Sequence, residues 1–463
     1  MVSTKAECIY ANVKNYIYYL EKYNSYLLFN PYIHQWLSLN RIGSEIVSAL
    51  EKHKTIDGAV EELRERYKLS DEQINEDIIP YIELLKKKHF LVGEGEHMAG
   101  DWTKVTVDKF LADSYYFTDM YISLSDSCNL KCCYCFNSNS RKKRDEGSLS
   151  RSEIEKLIKE YSEIGGRGVV FTGGEPTLYK DLIPLAKYAS ECNIEVKMIT
   201  NGTLLSSLEL DKLMKYMSGI NISLDSVDTD VLTKLWNVEG EPALNRITEG
   251  LKRIDDICKT LDKKPLITIS PIVTALNKDS LDRVYKFCCK TLRNCSLRWN
   301  LTPYEPVGCA ETDNMLSVSR GEYIDAYCNA FESAPDSKER IKREALSENG
   351  KRFAHNVPAL LCCAPSFLVT ASGNVYPCQK LERDEYLLGN IKERSIKEMA
   401  ESELFRKVKF SLGIDTNNKC AGCEFKYLCT FKGGLCKKDV YPKEANCREY
   451  NIEMLYLQTI YKR

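Results

Sequence analysis

Short apolar runs alternate with amphipathic stretches through the middle of the chain, between residues 118 and 310. The apolar runs predict six β-strands, at 120–125, 168–171, 195–200, 220–224, 266–273 and 297–301. Helical periodicity separates them, near 150–164, 179–191, 206–217, 242–262 and 278–292. Short apolar runs are typical of strands buried on both faces, so their alternation with helices predicts a parallel sheet. We expect an α/β fold of the partial (β/α)6 TIM-like barrel type over residues 118–310.

Residues 1–100 follow a different pattern and predict a small separate domain. Two short strands at 25–31 and 34–40 precede three amphipathic helices and an apolar triplet at 90–92, which predicts a closing strand. Ser70 and Gln73 match a capping box, and Pro80 predicts a kink in the last helix. This order is typical of a winged-helix domain. A peptide can add as a strand to the edge of such a sheet.

The remaining segments differ from both of these patterns. Residues 101–117 are a predicted linker, and residues 311–358 are a charged, helical connector. Residues 359–463 are rich in cysteine and glycine with weak periodicity. Small folds of that composition usually need a metal for stability.

The cysteine content changes this picture, because 20 of the 463 residues are cysteine. That share is below the ~8–10% of a disulfide scaffold. No secretion signal and no run of ~18 apolar residues is present, so we expect a cytoplasmic protein without a membrane span. In the reducing cytosol, clustered cysteines are more often metal ligands or catalysts than disulfides. A net charge of −1 argues against a nucleic-acid partner.

Three cysteines with ordered spacing follow the first strand of the predicted barrel. Cys128, Cys132 and Cys135 form the pattern C-x3-C-x2-C, and Cys133 is an additional thiol within it. Three thiolates on one loop can hold three irons of a four-iron cluster and leave one iron open to a small chelating molecule. Zinc is the competing metal.

Small polar groups follow the next strands in the same way. Two glycines after the second strand allow close approach of a ligand to the backbone, and the neighbouring Glu175 can accept from an ammonium group. Chemistry in such folds lies at the carboxyl ends of the strands. The candidate binding residues are Gly173, Gly174, Glu175, Asn201, Ser223 and Asp225, with Ser270 as a further candidate.

The cysteine triplet with its aromatic residue, together with GGEP at 173–176, resembles the radical SAM superfamily. The resemblance implies that Cys128, Cys132 and Cys135 bind the catalytic [4Fe-4S] cluster, whose open iron chelates S-adenosylmethionine. It places Tyr134 near the adenine. It also implies that Gly173, Gly174 and Glu175 border the methionine amino group, and that Asn201, Ser223 and Asp225 contact the ribose and methionine parts. Reductive cleavage would yield a 5′-deoxyadenosyl radical that abstracts hydrogen from the substrate.

A second group of seven cysteines lies in the C-terminal segment: Cys363, Cys378, Cys420, Cys423, Cys429, Cys436 and Cys447. Their order resembles the SPASM extension, except that six residues rather than three separate Cys429 from Cys436. The resemblance implies two auxiliary [4Fe-4S] clusters, with Cys420, Cys423, Cys429 and Cys447 on one and Cys363, Cys378 and Cys436 on the other. The cluster of Cys363, Cys378 and Cys436 lacks an assigned fourth ligand, and the candidates are Cys362, Cys309, Cys328 and a substrate thiolate. Structural zinc is the alternative.

The order of the three domains resembles maturases of ribosomally made peptides, in which residues 1–100 would bind the leader of a precursor peptide near residues 24–40. The leading hypothesis is a cross-linking enzyme of the sactipeptide or ranthipeptide type that forms cysteine thioethers. An external donor such as flavodoxin or ferredoxin would reduce the clusters. Maturases that form carbon–carbon or carbon–oxygen links, an anaerobic sulfatase maturase and a non-enzymatic iron–sulfur redox regulator are the alternatives.

Overall fold

The computed structural model describes residues 16–21, 24–30, 35–87, 90–91, 119–135, 148–304, 314–332, 366–405 and 408. Within these ranges, the N-terminal part begins with three antiparallel strands in the order β1-β2-β3. They are β1 (Tyr16–Leu20), β2 (Ser25–Asn30) and β3 (Gln35–Leu39). The predicted strands correspond to β2 and β3, whereas β1 was not predicted.

Helices follow these strands directly: α1 (Arg41–His53), α2 (Ile56–Tyr67), α3 (Asp71–Gln73) and α4 (Ile79–Lys87). The capping box of Ser70 and Gln73 is confirmed, with both of its hydrogen bonds present. A π-helical turn (Ile74–Ile78) joins α3 to α4 just before Pro80. Because proline clashes with the carbonyl four residues earlier, the wider turn relieves the contact that a regular helix would impose. The predicted irregularity therefore takes the form of a π-turn.

A compact apolar core joins this sheet to its helices and includes Leu28, Ile46, Leu50 and Leu85. Phe90 also packs into it, and its backbone N–H donates to the carbonyl of Leu85 at 2.9 Å. Residues 90 and 91 form a bend after α4, so the strand predicted at 90–92 is wrong for these two residues. The physical reason is that Phe90 closes the end of α4 instead of pairing with a neighbour. The winged-helix assignment stays a prediction.

The central sheet contains all or part of every strand predicted for residues 118–310. Its order among the described residues is β10-β8-β7-β6-β5-β4-β12-β13-β14, and the strands from β10 to β12 are parallel. The six strands of the α/β region are β4 (Asp119–Ser123), β5 (Gly168–Thr172), β6 (Glu195–Thr200), β7 (Met217–Ile222), β8 (Leu266–Ile269) and β10 (Ser296–Trp299). The α/β class is thereby confirmed. The six-unit barrel count stays a prediction.

One predicted strand is divided in two. The run 266–273 forms β8 and the short β9 (Ile272–Val273), and β9 pairs with β11 (Thr302–Pro303) instead of continuing β8. Pro271 lies at the break and has no N–H to donate to a sheet. The apolar pattern alone did not reveal this interruption.

Helices cover one face of the sheet and bury its alternate side chains, among them Ile122, Phe171 and Ile269. The helices are α5 (Arg151–Glu163), α6 (Leu182–Glu191), α7 (Leu210–Leu213), α8 (Thr229–Trp236), α9 (Gly240–Cys258), α10 (Leu281–Thr291) and α11 (Arg320–Glu332). Helix α8 was not predicted. The opposite face carries more polar and less buried residues, such as Lys197, Thr268 and Arg298.

The described part of the C-terminal segment continues the same sheet. It contributes β12 (Phe367–Val369), β13 (Asn374–Tyr376), β14 (Gly389–Asn390) and α12 (Ile396–Ala400). Strand β12 pairs in parallel with β4, with Phe367 beside Met120. Phe367 also stacks on Phe405 at 4.7 Å and meets Tyr161 edge-on at 6.5 Å between ring centroids. The predicted boundaries at 310 and 358 stay predictions, but the sheet runs across them.

No helix in the described ranges is both long enough and apolar enough to cross a membrane.

We expect Ile158→Ala to lower the free energy of unfolding by about 2–5 kcal/mol, because Ile158 is fully buried between α5 and the sheet. Lys159→Ala, at the next position of the same helix, should change it by less than about 0.5 kcal/mol, since Lys159 is exposed. Guanidinium unfolding followed by circular dichroism measures both. Equal losses of unfolding free energy in the two variants would contradict the burial of Ile158 on the inner face of α5.

Candidate functional site

The three predicted cluster cysteines lie on one loop, residues 124–135, at the carboxyl end of β4. Cys128, Cys132 and Cys135 are all half-buried and free of disulfides. Burial, together with the nearby charges of Asp225, Cys135 and Cys128, raises the pKa of the Cys132 thiol. The thiols of Cys128 and Cys135 therefore lie within electrostatic reach of Cys132. Among the described residues, no three cysteine, histidine or acidic side chains converge on a single metal ion.

The first half of this loop is fastened to the ends of β5 and β6. The N–H groups of Gly174 and Glu175 donate to the carbonyls of Ser125 and Ser127, at 2.7 and 2.9 Å. The backbone N–H of Leu130 donates to the sulfur of Cys128 at 3.4 Å. Hydrogen bonds to ligand sulfurs are a known means of tuning iron–sulfur clusters.

Side-chain amides add a second connection from this half of the loop to β6. Asn201 donates to the Asn129 amide oxygen at 2.9 Å and lies 3.9 Å from the Cys128 sulfur. Asn129 in turn donates to the Thr203 hydroxyl at 2.8 Å. Asn201, predicted from the sequence as a cofactor contact, therefore lies directly beside a predicted cluster ligand.

The second half of the loop is fastened to the end of α8. The N–H groups of Lys131 and Cys133 donate to the carbonyls of Trp236 and Leu235, at 3.1 and 2.9 Å. These are carbonyls of the last helical turn, which have no partner within the helix. Helix α8 thus supports the segment that carries Cys132 and Cys135.

Asp225 lies at the end of β7 and is fully buried. Its carboxylate accepts from Tyr134 Oη, from Trp236 Nε1 at 2.6 Å and from the backbone N–H of Ile272 at 2.8 Å. Burial raises the pKa of Asp225, and these three donors oppose that shift. Asn277 donates to the carbonyl of Asp225 at 2.8 Å. The carboxylate thus connects the cysteine loop, α8 and β9.

Glu175 is the second buried carboxylate at this edge of the sheet and is only 1% exposed. It accepts from the hydroxyls of Thr177 and Thr200, both at 2.6 Å, and from the backbone N–H of Asn201 at 2.8 Å. Burial raises its pKa, and these hydrogen bonds lower it. Glu175 therefore joins the end of β5 to the end of β6.

The two glycines before Glu175 are required by space and by backbone conformation. Gly173 has φ +127°, which residues with a Cβ rarely adopt. A Cβ at Gly174 would overlap the backbone carbonyl of Ser127 in the cysteine loop. The cysteine loop therefore packs directly against the backbone of the two glycines, where no side chain intervenes.

The polar residues that follow the parallel strands occupy equivalent positions, each one residue beyond the end of its strand. Ser223 N–H donates to the Thr200 carbonyl, Ser270 N–H to that of Ile222, and Asn300 N–H to that of Ile269, each at 2.9–3.0 Å. This continues the parallel ladder one residue beyond β6, β7, β8 and β10. The row is Asn201, Ser223, Ser270 and Asn300, and Asn300 donates to the Ser270 hydroxyl at 3.3 Å.

Sequence reasoning missed several residues at this site, namely Asn129, Trp236, Asn277 and Asn300. Asn300 was recoverable, because it is a polar residue near the end of the sixth predicted strand, as Asn201 is a polar residue directly after the third. Trp236 was not, because no helix was predicted there and a tryptophan in an apolar segment signals only a core.

Of the seven predicted auxiliary-cluster cysteines, Cys378 alone is among the described residues, and it is buried after β13. Cys363, Cys420, Cys423, Cys429, Cys436 and Cys447 lie outside the described ranges, as do Cys309 and Cys362. Cys328 is half-buried on α11. The auxiliary ligand sets stay predictions.

The fold and site define an α/β protein whose parallel strands end at a three-cysteine loop and a row of polar groups. Three family models match the chain, with these descriptions: Radical SAM superfamily at residues 122–288, Iron-sulfur cluster-binding domain (SPASM) at 362–424, and Coenzyme PQQ synthesis protein D (PqqD) at 18–91. The chain therefore carries a radical SAM domain, a SPASM domain and a PqqD domain of the peptide recognition type.

Curated relatives cover different parts of the chain. An AdoMet-dependent heme synthase of Methanosarcina barkeri is 24% identical over 326 residues, which are 66% of this chain and 88% of that protein. A probable GTP 3',8-cyclase of Methanopyrus kandleri is 40% identical over 121 residues, which are 26% of this chain and 38% of the cyclase. The chain thus spans less than half of that cyclase.

Solved structures share the fold over greater lengths. Streptococcus suis SuiB bound to precursor peptide SuiA has a TM-score of 0.53 at 17% identity, covering 96% of this chain and 100% of that one. Native anSMEcpe with bound AdoMet and Kp18Cys peptide has a TM-score of 0.51 at 22% identity, covering 73% of this chain and 96% of the other. At these identities the likeness concerns the fold.

Gly174→Ala should reduce iron uptake by the loop, because the new methyl group would displace Ser127 and hence the adjacent Cys128. We expect the iron bound per chain after anaerobic reconstitution to fall. Gly321→Ala on α11 is the control, since no atom lies within 4 Å of the position that its methyl group would take, and alanine favours a helix by about 1 kcal/mol. Wild-type iron content in Gly174→Ala would contradict the packing described.

Proposed function

We propose that this chain is a radical SAM enzyme that modifies a ribosomally made precursor peptide. The observation that carries the proposal is the three-cysteine loop held beside a row of polar groups, in a chain that also has a PqqD domain. Cys128, Cys132 and Cys135 hold the catalytic [4Fe-4S] cluster. The three thiols do not converge on a single metal ion, but a four-iron cluster takes one thiolate at each of three irons, so three cysteines on one loop fit it and leave the fourth iron for S-adenosylmethionine.

Residues of the strand ends bind and orient the cofactor. Asn201 and Ser223 occupy equivalent positions one residue beyond β6 and β7, and the Asn201 amide lies 3.9 Å from the Cys128 sulfur. Gly173 and Gly174 would border the methionine amino group, and Glu175 joins the ends of β5 and β6 beside them. When bound, cluster and S-adenosylmethionine supply a 5′-deoxyadenosyl radical that removes a hydrogen atom from the substrate.

The C-terminal segment holds two auxiliary [4Fe-4S] clusters in this proposal, for three in all. The match of the SPASM model to residues 362–424 supports an iron–sulfur role for the segment. Cys378 belongs to one cluster together with Cys363 and Cys436, and the other four cysteines hold the second. An external low-potential donor such as flavodoxin or ferredoxin supplies electrons.

The reaction that we propose is formation of a cysteine thioether. A hydrogen atom leaves a carbon of the core peptide, and a peptide thiol loses its proton as its sulfur bonds to that carbon. One electron remains, which the auxiliary clusters would accept. The peptide therefore loses two hydrogens for each cross-link.

The N-terminal sheet binds the leader of the precursor in this proposal. Among the residues that the structure describes, the order β1-β2-β3 puts strand β3 at an edge of this sheet, and the PqqD model matches residues 18–91. An edge strand offers unpaired N–H and C=O groups at alternate residues to an extended peptide. The leader adds to β3 as a fourth strand.

Cys128→Ala should abolish formation of 5′-deoxyadenosine from S-adenosylmethionine in reduced protein, because the loop loses one of three iron ligands. Cys133→Ala is the matched control, since Cys133 lies in the same loop but outside the C-x3-C-x2-C spacing. Chromatography of the reaction products measures both. Full cleavage activity in Cys128→Ala would refute the proposed enzyme.

Co-expression with a short cysteine-containing peptide from a neighbouring reading frame should lower the peptide mass by two hydrogens per cross-link. Tandem mass spectrometry then locates the linked residues, and alkylation tests whether the cysteine thiol is consumed. A mass loss in a peptide whose cysteines can all still be alkylated would indicate a carbon–carbon or carbon–oxygen link instead of a thioether. Formylglycine in the product would instead indicate sulfatase-type maturation.

N-methylation of a leader peptide tests the strand-addition mode. An added strand directs alternate N–H groups toward β3, so methylating one alternate set should abolish binding, whereas methylating the intervening set should leave it nearly unchanged. The two peptides match in composition and charge. Fluorescence anisotropy with the full chain measures the affinity, and equal effects of both sets would contradict the edge-strand mode.

A further inference from the structure

A closed set of hydrogen bonds joins Tyr134, Asp225 and Trp236. Tyr134 Oη and Trp236 Nε1 both donate to the same carboxylate oxygen of Asp225, and Trp236 Nε1 also lies 3.1 Å from Tyr134 Oη. The carboxylate is fully buried, and Trp236 is 1% exposed. Because a buried polar network is costly unless all of its members are satisfied, this arrangement has little freedom to shift.

The network lies at the second half of the cysteine loop, because Tyr134 stands between Cys132 and Cys135 in the chain. The first half of the loop is held at Cys128 through Asn201 and Asn129, on the side of β6. The second half is held by Asp225 and by the end of α8. Different parts of the fold therefore support the two halves.

We propose that Asp225 is a positioning residue for the cluster: through Tyr134 and Trp236 it sets where Cys132 and Cys135 stand relative to Cys128. This role differs from the direct contact with S-adenosylmethionine predicted from the sequence. It rests on the proposed cluster site but on no assumption about the peptide substrate.

The chemistry of the site requires a carboxylate at this position. All three groups that face its two oxygens are donors: a phenol O–H, an indole N–H and the backbone N–H of Ile272. An asparagine has one acceptor oxygen and one NH₂ group. In either orientation its NH₂ group would face at least one of these N–H or O–H donors and lose a hydrogen bond. Asp225→Asn therefore breaks the network while nearly preserving the shape of the side chain.

Geometry also explains why the network acts on the cluster ligands. Trp236 is the last residue of α8, and its own carbonyl accepts from Lys131 in the loop. Its indole and its carbonyl thus contact the same loop segment from two sides. A shift of the indole would move the helix end and the loop together.

The test is iron retention at the catalytic cluster of the reconstituted full chain, challenged with a chelator under anaerobic conditions. The cluster is followed by the electron paramagnetic resonance signal that changes when S-adenosylmethionine is added, since only an open iron responds to it. We expect Asp225→Asn to lose this signal about tenfold faster than the wild type, the range typical when a group that orients metal ligands is removed.

Tyr134→Phe keeps the aromatic ring and removes one donor, and Trp236→Phe removes the other donor, so both serve even where Asp225→Asn folds poorly. We expect faster loss of the signal in both. The effects of Tyr134→Phe and Asp225→Asn should not add, because both disturb the same hydrogen-bonded network. Additive effects would overturn the proposal.

Asp255→Asn is the matched control. Asp255 is also a buried aspartate that accepts from the protein's own donors, the backbone N–H and side-chain amide of Asn294 at 2.6 and 2.7 Å, but it lies on α9 near the amino end of β10. The substitution should lower the thermal midpoint without changing iron retention. Equal iron loss in both aspartate variants, or wild-type retention in Asp225→Asn, would overturn the positioning role. A persistent responsive signal in Cys128→Ala would instead refute the cluster site itself.

Discussion

Two buried carboxylates hold together the edge of the sheet that carries the cysteine loop. Glu175 joins the ends of β5 and β6, and Asp225 joins β7 to the cysteine loop and to α8. A buried carboxylate is tolerated only when donors satisfy it, and here each one accepts from at least three groups. The irregular loop that carries the three cysteines therefore gains a defined position without helix or strand of its own.

The same edge depends on the continuity of the sheet. Strand β12 pairs with β4, the strand that leads into the cysteine loop, so the segment with the SPASM match is built onto the radical SAM sheet. Phe367 packs between Tyr161 and Phe405 on the covered face. Changes in this C-terminal core would thus reach the base of the cysteine loop through one shared strand.

Much of the fold was predictable because buried parallel strands produce apolar runs separated by turn residues. Every central strand from β4 to β8, and β10, was predicted within a few residues. Two of the misses have local physical causes: Pro271 interrupts one run, and Phe90 closes a helix instead of forming a strand. Strand β12 escaped prediction because its partner lies far away in the chain.

The sequence by itself determined the chemistry of the site, since cysteine spacing and the polar residues after each strand are local patterns. It placed Cys128, Cys132 and Cys135 on one loop and Asn201 and Ser223 at neighbouring strand ends. Only the tertiary structure decided which of these polar side chains are engaged by other residues of the protein. Asp225 lies close to Ser223 in the chain, yet its carboxylate is buried against Tyr134 and Trp236, because a side chain's partners are set by elements packed from distant parts of the chain.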